Sequence, residues 1–178
     1  GKLRLAPRKY EEIITVSSMN AYGDYLHKKG MLEQVRDFFV ECGGRNGDTA
    51  DHNYDKALPW PFAEEDYIDV VTGRIAREQL EQHPAEKPFY MKVSFCGPHK
   101  PYDAPQRYLD QIPMEREDDF LLPDGQVLTE EEKETLYRQR RSAKAMIRLI
   151  DDQIGEVLEL LERRDLLKDT LLLFTSDH

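Results

Sequence analysis

Cysteine is scarce in this chain: Cys42 and Cys96 are the only two among 178 residues. Two thiols do not make a disulfide framework, and their spacing matches no zinc motif. Cys96 ends an apolar run and reads as a small core residue, while Cys42, in Glu41-Cys42-Gly43-Gly44, reads as part of a turn. Neither has a base partner in sequence that would make it a nucleophile. Basic residues are also in deficit, 25 Lys and Arg against 35 Asp and Glu, for a net charge of -10. Nucleic acid is therefore a poor partner, since phosphate backbones select clustered Lys and Arg. No apolar stretch reaches the roughly 18–20 residues that span a bilayer. No signal-peptide pattern opens the chain, whose first residues read as the interior of a longer protein. Internal repeats and low-complexity tracts are absent. What is present is 39% hydrophobic and 34% charged, the balance of a globular rather than a disordered chain. Its length suffices for one ordinary core.

Hydrophobic spacing predicts the elements. Residues 10–41 read as mostly helical with a break near Gly30, and Met31, Val35, Phe38 and Phe39 recur at helical spacing. Residues 42–62, with their glycines, Asn, Asp and two prolines around Trp60, read as a long loop. A helix is expected from Glu64 to about Gln82, packing Ile68, Val71, Ile75 and Leu80. The run Phe89–Phe95, bounded by Pro88 and by Gly97-Pro98, is a clear strand signal. Residues 97–128 are rich in proline and acids and read as irregular. Thr129-Glu130-Glu131-Glu132 is a capping box, and the helix it opens carries Leu136, Met146, Ile147, Ile150, Ile154, Val157 and Leu161 on one side. A second strand is expected at Thr170–Thr175.

Helices alternating with near-continuous apolar strands predict an α/β protein, a mostly parallel central sheet flanked by helices. Ligands of such sheets gather beyond the carboxyl ends of the strands. The residues there are Cys96-Gly97-Pro98-His99-Lys100-Pro101-Tyr102-Asp103 and Ser176-Asp177-His178. Asp177 and His178 offer a carboxylate and an imidazole side by side, donors that suit calcium, magnesium or manganese. On spacing alone such a pair is more commonly a cap or turn. His99, between two prolines, has a restrained backbone that aims its ring either at a substrate or into a local hydrogen bond.

Three segments tip these readings. Residues 88–104, in which a strand runs into Pro98-His99-Lys100-Pro101-Tyr102, resemble the sulfatase family's strand followed by Pro-His-x-Pro-Tyr. Residues 150–178, with Ile150-Asp151-Asp152-Gln153-Ile154-Gly155 before a run ending Thr175-Ser176-Asp177-His178, are similar to the family's later metal-ligand segment. The opening Gly1-Lys2-Leu3-Arg4-Leu5 is similar to its Gly-Lys-x-His-Leu motif. All three fall in the family's order, while residues 10–87 resemble it only loosely.

The resemblance implies a partial alkaline-phosphatase-like sandwich and an internal part of one sulfatase-like catalytic domain over residues 1–178. It makes Asp177 and His178 ligands of one divalent metal, Ca2+ first with Mg2+ or Mn2+ as alternatives. It gives His99 to the sulfate and the leaving-group oxygen, and Lys2 to neutralising the sulfate. Lys100 is a further candidate for substrate contact, equally readable as a solvated lysine. Position 4 departs from the pattern: Arg4 stands where the family has a histidine, and it could hold an anion but not act as a base at neutral pH. Neither Cys-x-Pro-x-Arg nor Ser-x-Pro-x-Arg, the source of the family's formylglycine nucleophile, occurs in the chain. The family's opening pair of metal-binding aspartates is also absent. Both are expected upstream of Gly1, with a smaller C-terminal subdomain beyond His178, so that residues 1–178 alone are expected to be inactive.

The implied substrate is a small-molecule or glycan sulfate ester. Phosphodiester or phosphonate-monoester hydrolysis, and a catalytically degenerate binding module, are the alternatives. The family leans the compartment toward periplasmic or secreted, with cytoplasmic open, and oligomeric state is unspecified. Asp151 and Asp152 read as exposed helix charges or helix-packing contacts rather than catalytic groups, and Trp60 and His52 as loop residues that either pack locally or shape a pocket.

Overall fold

The computed structural model describes residues 13–43, 56–120, 122 and 127–176. Strand β1 spans Ile13–Ser17 and helix α1 Ser18–Lys29, followed by α2 at Leu32–Glu41. A 3-10 turn at Glu64–Asp66 leads into α3, Ile68–Gln82. Strand β2 is Tyr90–Ser94, the short helix α4 is Gln106–Leu109, and α5 is Glu130–Arg163.

The two strands pair in parallel, with Ile13 opposite Tyr90 and Ser17 opposite Ser94. The helical reading of residues 10–41 is corrected at its start. Ile13, Ile14, Thr15 and Val16 are β-branched and favour a pleated neighbour, and β2 supplies one. The expected break is real: Gly30 has φ +70°, its amide donates to His27 O at 3.1 Å and the Met31 amide to Leu26 O at 2.9 Å. This is the left-handed helix end that glycine adopts without a Cβ penalty.

Among the described residues the parallel sheet has two strands, fewer than the flanked central sheet expected. Along β2, Met91 and Val93 pack against Ile75, Ala76 and Val157 of α3 and α5, while Tyr90 and Lys92 are exposed. Among the described residues, helices therefore cover one face of β2. The second expected strand, Thr170–Thr175, is also corrected: it is irregular, with Leu171 83% and Phe174 87% exposed. A run of apolar residues becomes a strand only where another strand satisfies its backbone groups.

Most of the core lies between α1, α2, α3 and α5, around Tyr22, Leu26, Val35, Phe38, Trp60, Tyr67, Val71, Met146 and Leu149. Helices α3 and α5 approach closely at Gly73, where a Cβ would fall 2.4 Å from Gln153 Oε1. The capping box forms as read: Thr129 Oγ1 accepts the Glu132 amide at 3.2 Å, and Glu132 Oε2 accepts the Thr129 amide at 2.7 Å. The buried stripe of α5 runs through Ser142, Ala145, Met146, Leu149, Gln153, Leu160 and Leu161. Ile147, expected on it, is 54% exposed because the stripe passes through Met146 and Leu149 and leaves 147 and 148 outward. The first turns of α5 are tied instead by ions to residues 115–119: Lys133–Asp118 at 3.0 Å, Arg140–Asp119 at 2.8 Å, Arg116–Glu134 and Lys144–Glu115. The turn read at Cys42 is present, whereas Cys96, read as a core residue, is less buried than Cys42. Cys42, the residue capping α2, is fully buried, and Cys96 is half-buried.

Candidate active site

Chain direction places the histidine turn. β2 ends at Ser94, and Phe95 and Cys96 carry the chain off its carboxyl end into Gly97-Pro98-His99. The Cys96 amide donates to Asp69 Oδ1 at 2.6 Å and the Gly97 amide to Asp69 Oδ2 at 2.9 Å. Asp69 lies in the first turn of α3 and is 0% exposed. Burial pushes its carboxyl above the usual range, and the two amides pull it back down. The His99 amide then donates to Cys96 O at 3.2 Å, closing the turn.

His99 itself is exposed, with Nδ1 2.6 Å from Lys100 O. A carbonyl only accepts, so Nδ1 carries the hydrogen and Nε2 is the nitrogen left to exchange a proton with a ligand. Lys100 is exposed beside it. Further on, buried Asp103 accepts the Tyr67 hydroxyl at 3.0 Å, and the Ala104 amide donates to Ser142 Oγ of α5 at 3.2 Å. Burial raises the Asp103 carboxyl to about 7, with the Tyr67 hydroxyl opposing the rise. The Tyr67 phenol, buried beside two carboxylates, is driven well above its ordinary value.

Other candidates resolve toward structure. Burial pushes the Cys96 thiol up to about 11 and the Cys42 thiol up to about 12, so neither offers a thiolate at neutral pH. Trp60 is core: it stands edge-on to Phe38, Phe62 and Tyr67, and Nε1 donates to Ala63 O at 3.0 Å. Asp151 pairs with Arg148 at 3.6 Å as an exposed helix charge, whereas half-buried Asp152 pairs with Arg148 at 3.0 Å and also bonds the Tyr108 side chain, a packing contact. Lys2, Arg4, His52, Asp177 and His178 lie outside the described residues, as does the expected meeting of His99 with the 177–178 pair. Among the described residues no three His, Cys, Asp or Glu side chains cluster to hold a metal ion. No helix among them is long and apolar enough to cross a membrane.

Asp69, Tyr67, Asp103 and Ser142 were not singled out by sequence reasoning. Asp69 did leave a signal, because it shares the helical spacing of buried Thr72, Ala76 and Leu80, where an acid is out of place unless partnered. Asp103 closes the stretch beyond the strand end, but nothing in its spacing marked it as buried.

Comparison with known proteins places this turn in a family. The sulfatase family profile matches residues 14–178. An arylsulfatase of Clostridium perfringens (strain 13 / Type A) is 28% identical over 207 aligned positions, covering 100% of this chain and 43% of that protein. A choline-sulfatase of Rhizobium meliloti (strain 1021) is 30% identical over 122 positions, covering 59% of this chain and 23% of that protein. An arylsulfatase of Klebsiella aerogenes is 27% identical over 139 positions, covering 63% and 30%. The chain thus spans less than half the length of these relatives. A match over nearly all of residues 1–178, including the strand and the histidine turn built above, means that the chain belongs to the sulfatase family.

Proposed function

We propose that the full-length protein hydrolyses sulfate esters, of a small molecule or a glycan, and that residues 1–178 supply part of its active site within an alkaline-phosphatase-like sandwich. The observation that carries this reading is the turn of Cys96–His99: it leaves the carboxyl end of a parallel strand, is fixed by a buried carboxylate, and presents an exposed imidazole. The family match and relatives named arylsulfatase and choline-sulfatase support it.

In this reading a nucleophile oxygen supplied from outside residues 1–178 bonds to sulfur as the ester's S–O bond breaks, and the departing oxygen needs a proton. His99, protonated and held through Nδ1 by Lys100 O, gives it from Nε2. Lys2 neutralises sulfate charge, and Lys100 and Arg4 add cationic contacts to its oxygens. Asp177 and His178 would hold the divalent metal, Ca2+ before Mg2+ or Mn2+, which when bound draws charge from the non-bridging oxygens. The formylglycine nucleophile belongs to residues outside 1–178, so these residues alone turn over no ester.

The test is turnover of matched aryl sulfate, phosphodiester and phosphonate-monoester substrates by the full-length protein and its His99→Ala variant. Sulfate is expected to be cleaved fastest, and His99→Ala to slow that cleavage by about 10²–10⁴-fold. Preference for either phosphorus ester moves the assignment to that hydrolase class. Arg4, in place of a histidine, favours a second reading as a degenerate binding module, and absence of turnover on all three esters would support it.

A further inference from the structure

The histidine turn is tethered from one place at both of its ends. Asp69 takes the amides of Cys96 and Gly97 at 2.6 and 2.9 Å, before His99. Tyr67, which starts the same helix, donates to Asp103 Oδ1 at 3.0 Å, after it. Cys96 relays the first tether, since its carbonyl accepts the His99 amide at 3.2 Å. The fit leaves no slack: a Cβ on Gly97 would lie 2.9 Å from Asp69 Oδ2 and 3.0 Å from Ile150 Cδ1. Placing a carboxylate at 0% exposure costs free energy that solvent-facing acids do not incur, and here it fixes two consecutive amides of one turn.

We infer that the start of α3 positions the His99 imidazole, Asp69 by holding the entry to the turn and Tyr67 by holding its exit. Neither side chain touches substrate; both act through the backbone of residues 96–103. This rests on His99 serving sulfate-ester cleavage as proposed above. Small displacements of a proton donor are expensive, with about 1 Å costing on the order of 100-fold.

The test uses the full-length protein as Asp69→Asn, His99→Ala and the double variant, reading aryl sulfate turnover beside hydrogen exchange at the Cys96 and Gly97 amides. Asparagine keeps the size of the side chain but turns one acceptor into a donor facing an amide. Asp69→Asn is expected to lower kcat about 10- to 100-fold with KM little changed, and to speed exchange at both amides. On the His99→Ala background it is expected to cost nothing further. Full kcat in Asp69→Asn beside a slow His99→Ala overturns the positioning role. So does a loss that multiplies with that of His99→Ala, and so do amides that stay protected. His99→Ala at full speed instead overturns the reading of the site, taking the catalytic part of this inference with it, while the exchange rates still decide whether the tether exists. Should Asp69→Asn fail to fold, Tyr67→Phe removes only a hydroxyl and must also lower kcat without adding to His99→Ala. Full turnover in that variant overturns the role of the exit tether.

Discussion

Residues 89–105 and 166–178 carry the same kind of sequence signal, an apolar run followed by residues suited to anion or metal chemistry, yet the described part of the second, residues 166–176, differs from the first in the structure. The first forms β2 and a turn tethered by Asp69, Tyr67 and Ser142. The second leaves a 3-10 turn at Leu167–Asp169 and continues irregular and exposed. Composition does not separate them. Partners do: β2 has β1 for its backbone and α3 and α5 for Met91 and Val93, whereas Leu171, Leu173 and Phe174 meet no such cover among the described residues.

Four measurements press on that contrast. The largest expected effect is on rate: His99→Ala removes an exposed ring, so its 10²–10⁴-fold loss (about 3–5 kcal/mol in barrier) should come with a stability change within about 0.5 kcal/mol. A matching loss of stability in a urea melt would mean the ring is structural.

Next is the pH response of the tether. Asp103 has a folded-state pKa of about 7, above the ordinary carboxylate value, so folding favours its protonated form. The resulting stability is fully present below about pH 4 and is lost as pH rises through about 7, on the order of 4 kcal/mol in all. Burial pushes Asp69 in the same direction. Asp103→Asn stays neutral and can still accept from Tyr67, so urea midpoints recorded from pH 4 to 8 should fall less steeply for it. An unchanged slope would assign the titration elsewhere.

Gly97→Ala should cost about 1–3 kcal/mol, because the new methyl meets Asp69 and Ile150 in a packed site. The smallest effect belongs to the other region: Phe174→Ser should shift stability by no more than about 0.5 kcal/mol. If denaturant melts gave these two substitutions equal costs, the distinction between a tethered and an uncovered segment would fail.

Local signals were legible in the sequence where a few neighbouring residues decide the outcome. Thr129 and Glu132 cap α5, Gly30 ends α1, and Tyr90–Ser94 form a strand, all as their patterns predict. What depended on distant partners was not legible. Ile13–Ser17 takes its conformation from β2, far along the chain, and Thr170–Thr175 lacks any such neighbour among the described residues. The site divides in the same way. His99 and the turn around it were readable from Pro98 and Pro101, but the groups that fix the turn, Asp69 and Tyr67, come from the start of a preceding helix. A buried carboxylate reveals its purpose only when its amides arrive.

The long helix α5 has 34 residues, about 51 Å at 1.5 Å per residue, and its two ends are held by different forces. Its beginning leans mostly on lysines and arginines paired with acids of the preceding loop, beside one buried aromatic, Tyr137, and its far part mostly on Leu149, Leu160 and Leu161. Raising ionic strength from about 0.1 M to 1 M shrinks the screening distance from about 10 Å to about 3 Å, while apolar burial does not weaken. The helix would therefore fray from its amino end in brine, a shortening that concentrated electrolyte could drive without disturbing the opposite end.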